Sequence, residues 1–195
     1  MRRSYLPPVV GIDADTKGIA WVCRTPTMTT YGLVPRRHPT TRKWSQTYPD
    51  DLKRLLDRWF SIGAQVYLED IYRISTTGFK ALAHVQGELL YEATSARSFL
   101  QKLPKAVPHP LPAYLELVDA STWQSVVFKH IPKSVVGTKE KAKAYASLHL
   151  PGIELPNEHV IDAYCISCYG LMKTAAYLKD DKAQTKKHTT AKVRK

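Results

Sequence analysis

Acid, cysteine and long apolar runs are all scarce in this chain, and each scarcity excludes something. The 195 residues carry 17 aspartates and glutamates against 29 lysines and arginines, a formal net charge of +12. Such a surface suits a polyanionic partner, with DNA or RNA ahead of a membrane. Three cysteines do not make a disulfide framework, so a stapled secreted scaffold is not indicated. No apolar run approaches the length needed to span a bilayer, and no membrane partner is expected. Arg2 and Arg3 precede only a short apolar stretch, which contains Pro7 and Pro8 and runs into Asp13 and Asp15. That stretch does not read as a signal peptide. The expected setting is a reducing one: the cytoplasm, or the host cytoplasm if the gene is viral.

What the chain does have is an ordinary apolar content of 44%, enough for a core without staples. The simplest division is one domain over residues 1–178 and a basic, disordered tail over 179–195. From Lys173 onward there are eight basic residues against Asp180 and Asp181, a composition that binds phosphates without reading sequence.

Pro8 to Arg24 reads as two strands around the turn ADTKG, and Met28 to Val34 as a third, giving an antiparallel meander. Arg24 to Lys43 holds Arg36, Arg37 and other basic residues with no acid, and reads as an exposed basic loop. A helix follows from Pro49 and Asp50, with Leu52, Leu55, Leu56, Trp59 and Phe60 on one face and Gly63 to end it. Val66 to Glu69 is a short buried strand, and strand–helix–strand argues for parallel pairing in an α/β fold. Phe79 to Leu100 is the longest helical stretch, interrupted by Gly87. Tyr114 to Val118 is the last strand. Three helices follow, the first capped by Asp119 and Ser121, the second by Thr138, and the third by Asn157 and ending near Leu178.

Four positions stand out against this frame. Asp13 ends the run VVGID and Glu69 the run VYLE, while His159 and Asp162 lie three apart in the last helix and so share a face. Sites in α/β sheets form beyond strand carboxyl ends, where Asp13 and Glu69 converge if their strands are neighbours. Docking the His159–Asp162 face there completes a set of three carboxylates and one imidazole. That set suits Mg2+ or Mn2+, and two such ions can promote phosphodiester hydrolysis.

These residues carry a resemblance. GID at 11–13, LEDIY at 68–72 and HVIDA at 159–163, with VDASTWQSVVF and VVGTKEKAKAY between them, make the chain similar to the RuvC-type Holliday junction resolvases of the RNase H-like (retroviral integrase) superfamily. The likeness runs from about Val9 to Leu171. It implies a five-stranded mixed sheet, three strands antiparallel and two parallel, flanked by helices. It also implies a homodimer that resolves four-way DNA junctions by paired symmetric nicks, with two Mg2+ or Mn2+ ions per active site. Asp13, Glu69, His159 and Asp162 match the metal positions, and Lys141, with Lys139 beside it, matches a basic residue near the scissile phosphate. Tyr72 matches an aromatic that stacks on unpaired bases, and the 79–100 helix matches the dimer interface, where Gly87 allows close approach. A second basic position of the family appears as Gln124, its role passing to Lys129 or Lys133.

Two further readings stay open: a nuclease acting on RNA–DNA hybrids or flaps, and a catalytically inactive binder of branched DNA. Asp15 and Asp70 neighbour the proposed ligands, and strand alternation turns Asp70 away from Glu69. Cys165 and Cys168 read as one apolar helix face, since a zinc site needs a second pair of ligands. Gly137-Thr138-Lys139 lacks the rest of a phosphate loop, so no nucleotide cofactor is expected.

Overall fold

A computed structural model describes residues 6–15, 17–37, 43, 45, 47–70, 83–94 and 114–193, Tyr114 and those beyond Lys179 by backbone alone. The strands are β1 (Val9–Asp15), β2 (Gly18–Arg24), β3 (Thr29–Pro35), β4 (Gln65–Asp70) and β5 (Tyr114–Asp119). The helices are α1 (Tyr48–Ser61), α2 (83–94), α3 (Ala120–Val127), α4 (Thr138–His149) and α5 (Glu158–Val193), with a 3-10 turn at Phe128–His130 after α3. The sheet order is β3-β2-β1-β4-β5. β1 to β3 form the antiparallel meander, while β4 runs parallel to both β1 and β5. This is the five-stranded mixed sheet expected from the sequence.

Alternation along the strands lets one sheet support two cores. Val9 and Tyr67 point to the face covered by α3, α4 and α5, where they pack with Trp123, Tyr145, Tyr164 and Ile166. Val10, Ile12, Val66 and Leu68 point the other way, against Leu52, Leu56, Trp59 and Phe60 of α1 and Val85 and Leu89 of α2. The α1 residues recur at helical spacing, which is why this segment forms an amphipathic helix. Pro49 and Asp50 open it, and Gly63, at φ 70°, ends it in the left-handed conformation that glycine tolerates.

Helix α5 lies unusually close to the sheet. A Cβ on Gly11 of β1 would stand 2.2 Å from the Ala163 carbonyl oxygen and 2.4 Å from the Ser167 nitrogen. A Cβ on Gly170 would stand 2.4 Å from the Tyr67 ring and 2.7 Å from Val9. Backbone meets backbone at the first point and aromatic ring at the second. Cys165 and Cys168 are buried on this same face as free thiols, in keeping with the apolar-face reading.

Two helix boundaries differ from expectation. Gly137 rather than Thr138 occupies the N-cap of α4, and no side chain caps that end. α5 continues to Val193 instead of ending near Leu178. No glycine or proline follows Gly170, and the alanines, lysines and Gln184 of this stretch are compatible with helix. Among the described residues no helix is long and apolar enough to cross a membrane.

Candidate active site

Strand register places the first two carboxylates side by side. β1 and β4 are parallel neighbours with Ile12 opposite Leu68, so Asp13 and Glu69 come next on adjacent strands. Gly11 and Tyr67 face α5, and two residues further on Asp13 and Glu69 face it as well. The first turns of α5 lie above them. Asn157 holds that helix start by accepting the Val160 N–H at 3.0 Å. His159 and Asp162, three apart, project from the same side of these turns. The structure thus brings Asp13, Glu69, His159 and Asp162 into one cluster from β1, β4 and α5.

The closest contact joins the two ends of the chain: His159 Nδ1 lies 2.7 Å from Asp13 Oδ2. The other ring nitrogen, Nε2, lies 3.5 Å from Asp15 Oδ2. Asp15 therefore belongs to the cluster, although its place in the ADTKG turn gave it no such weight in the sequence. The signal that marks it is strand alternation, since β1 extends to Asp15 and positions 13 and 15 share a face. Asp70 is turned away as expected, and accepts a hydrogen bond from Gln86 Nε2 of α2 at 3.2 Å.

Packing these acids together changes their proton affinities. Glu69 is pushed up to about 8, first by burial and then by the charges of Asp13 and Asp162. The buried indole N–H of Trp123, which makes no close hydrogen bond, works the other way and favours the carboxylate. Asp162 is pushed up to about 7 by burial and by Asp13, with His159 and Lys139 opposing. His159 is raised, chiefly by its hydrogen bond to Asp13. A pocket that gathers this much negative charge favours protons or cations.

The donor set consists of hard carboxylate oxygens and one imidazole, which fits Mg2+ or Mn2+ on chemical grounds. Among the described residues no three of these side chains stand close enough together, as placed, to hold one ion. The imidazole pairs with Asp13 instead, so ion binding requires that contact to be exchanged.

The other predicted residues fall into three groups. Lys139 and Lys143 of α4 line a shallow recess with Glu158, Ile161 and Asp162. Lys141 lies about 200° round the helix from Lys139 and takes no part in that lining. Lys139 Nζ lies 2.5 Å from Glu158 Oε2, and Lys143 Nζ lies 3.7 Å from Glu158 Oε1. Lys129, Lys133 and Arg37 are exposed. Arg36 departs from the expectation of a DNA-facing side chain. It is 4% exposed, and its Nη2 lies 3.1 Å from Glu88 Oε1 of α2. A buried guanidinium paired with a carboxylate is not free for a phosphate, and the distant glutamate that claims it was invisible in the local basic run. Tyr72 lies outside the described residues.

No protein-family model and no curated protein sequence matches the chain. Among solved structures it is similar to T. thermophilus RuvC in complex with a Holliday junction substrate. The TM-score is 0.56 at 15% identity, over 86% of this chain and 97% of that one. A second similarity, to the Aquifex aeolicus Ppx/GppA phosphatase, has a TM-score of 0.28 at 8% identity, over 65% of this chain and 42% of that one, and carries no weight. Sheet order, strand directions and flanking helices agree with the first comparison: the chain has the RNase H-like fold seen in RuvC.

Proposed function

We propose that this protein is a divalent-metal-dependent endonuclease that cuts branched DNA, with four-way junctions as its principal substrate. The observation that carries the reading is the convergence of Asp13, Glu69 and Asp162 from β1, β4 and α5, with Glu69 and Asp162 both raised by burial and by Asp13. A purely structural role gives no reason to hold three mutually repelling, half-buried acids beside a histidine. Mg2+ or Mn2+ held by Asp13, Glu69 and Asp162 would supply Lewis acidity for hydrolysis of a phosphodiester. His159 is the residue able to exchange Asp13 for an ion, and its ring nitrogens also allow it to hold or pass a proton there. Lys139, at the rim near Asp162, places positive charge where a DNA phosphate approaches.

The net charge of +12 favours a nucleic-acid substrate, and the shared fold with a junction-bound RuvC favours branched DNA. Paired nicking calls for two copies of the chain. The outer face of α2 suits such a contact: Tyr91 is 70% exposed one turn from Gly87, and nothing lies within 4 Å of where a Gly87 Cβ would stand.

The test offers purified protein a mobile four-way junction, a flap and an RNA–DNA hybrid, with Mg2+, Mn2+ or chelator. Junction cleavage that requires metal and disappears in Asp13→Asn, while junction binding survives, is the expected result. Cleavage that persists in chelator would refute the metal site, and preferential cutting of the hybrid would favour an RNase H-like activity.

A further inference from the structure

We propose that Glu158 is a built-in competitor of the substrate, occupying a two-lysine seat beside the carboxylate cluster that a DNA backbone phosphate takes over on binding. The inference deepens the nuclease reading and rests on it for the identity of the incoming anion.

Glu158 opens α5 immediately before His159, about 100° round the helix from it, and therefore faces α4 rather than Asp13. Its two carboxylate oxygens reach different lysines, Oε2 toward Lys139 and Oε1 toward Lys143. Those lysines are four apart on α4 and so share a face. Asp162, one turn on from Glu158, borders the same recess. A carboxylate bridging two ammonium groups mimics a phosphate oxygen pair, since both present anionic acceptors to the same donors. Lys139 and Glu158 are both substantially exposed, at 68% and 46%, so the seat is open to an exchange of anions.

The plainer account is that Glu158 favours the start of α5 through the helix dipole. The two accounts differ in sign. A residue that only steadies the helix leaves DNA binding unchanged or weaker when neutralised. A competitor leaves it tighter, because Lys139 is released and Lys143 keeps only Glu140, whose Oε1 lies 3.2 Å from its Nζ.

The experiment measures fluorescence anisotropy of a labelled four-way junction and a matched duplex, in chelator, at two salt concentrations. The proteins are the wild type, Glu158→Gln, Lys139→Gln, the double variant, and Asp51→Asn. Asp51→Asn makes the same charge change on α1, where Asp51 pairs with Arg54. Thermal melts establish that each variant is folded. Glu158→Gln is expected to tighten binding by about threefold to tenfold at low salt, the equivalent of one or two phosphate contacts, and to steepen the salt dependence. With Mg2+ it should lower KM for the junction and leave kcat unchanged. In the Lys139→Gln background the gain should shrink. The proposal is overturned if Glu158→Gln behaves like Asp51→Asn, or if its gain is undiminished without Lys139. A wild type that cuts none of the substrates would sink the nuclease reading, while the anisotropy series still decides the role of Glu158.

Discussion

Deprived of divalent ions, the protein is expected to lose stability as pH rises, and the loss can be worked from the site. Glu69 moves from an ordinary 4.5 to about 8 and Asp162 from 3.8 to about 7. Both groups bind a proton more tightly folded than unfolded. Below about pH 4 both states are protonated and no penalty exists. Between there and about pH 8 the unfolded chain ionises first, so ionisation pulls toward unfolding. His159, raised by Asp13, acts in the same direction: its contribution is present at low pH and is lost as pH climbs through its folded value. At 1.36 kcal/mol per pH unit, each acid alone has a ceiling of about 4–5 kcal/mol. Their shifts share one repulsion, so the pair together is taken as about 5 kcal/mol. For a chain of this size, about 2–4 °C per kcal/mol gives a fall in Tm of about 10–20 °C between about pH 5 and about pH 8. An ion that binds only the folded, deprotonated site opposes this, by about 2.7 kcal/mol at a hundredfold excess over its Kd. The assay is a pair of melting curves across that pH range, with chelator and with Mg2+ or Mn2+. The two curves should meet at low pH and diverge at high pH, and Glu69→Gln should flatten the chelator curve and remove most of the divergence. A chelator curve that is level or rising, or an ion effect equally large at both ends, refutes the reasoning.

Further outcomes follow from individual contacts. Gly11→Ala should cost about 3 kcal/mol or more in urea unfolding, because its methyl would meet the Ala163 carbonyl oxygen of α5; a change within about 0.5 kcal/mol would show that the helix can move away. Arg36→Ala should destabilise the protein by about 1–3 kcal/mol, because Glu88 is left with the exposed His84 as its remaining ion-pair partner among the described residues, and should leave the salt dependence of DNA binding intact, with Glu88→Gln restoring part of the loss. A drop in DNA affinity without a drop in stability would return Arg36 to the DNA surface. Removal of residues 180–195 should flatten the salt dependence of junction affinity measured by anisotropy, and an unchanged slope would leave that segment without a role in binding.

Much of this architecture was legible because local patterns carried it. The apolar runs VVGID and VYLE marked Asp13 and Glu69 as strand ends, and the 3.6-residue period placed His159 beside Asp162, while the register that puts the two carboxylates on one face came only with the pairing of β1 and β4. The misreadings share a different cause. Arg36 looked like part of a basic loop because Glu88 lies 52 residues away, and nothing local announces such a pairing. Asp15 was counted with the turn and named only as a neighbour of the ligands, because turn chemistry and strand chemistry overlap at the ends of a hairpin. The indole of Trp123 is apolar to any composition count, and its influence on Glu69 arises only once α3 packs against the sheet.

The two glycine contacts under α5 have a further consequence. A rod pressed at Gly11 and again at Gly170 has little freedom to roll or slide, so the spacing between its opening residues and the strands beneath is set by backbone packed on backbone at one point and by the buried Tyr67 ring at the other. Under the nuclease proposal, accommodation of differently angled substrates would come from parts not clamped in this way, such as α4 and the turn before it. Mutations meant to broaden the range of DNA shapes such a nuclease accepts should then find purchase there, and meet only loss of the folded state along the glycine seam.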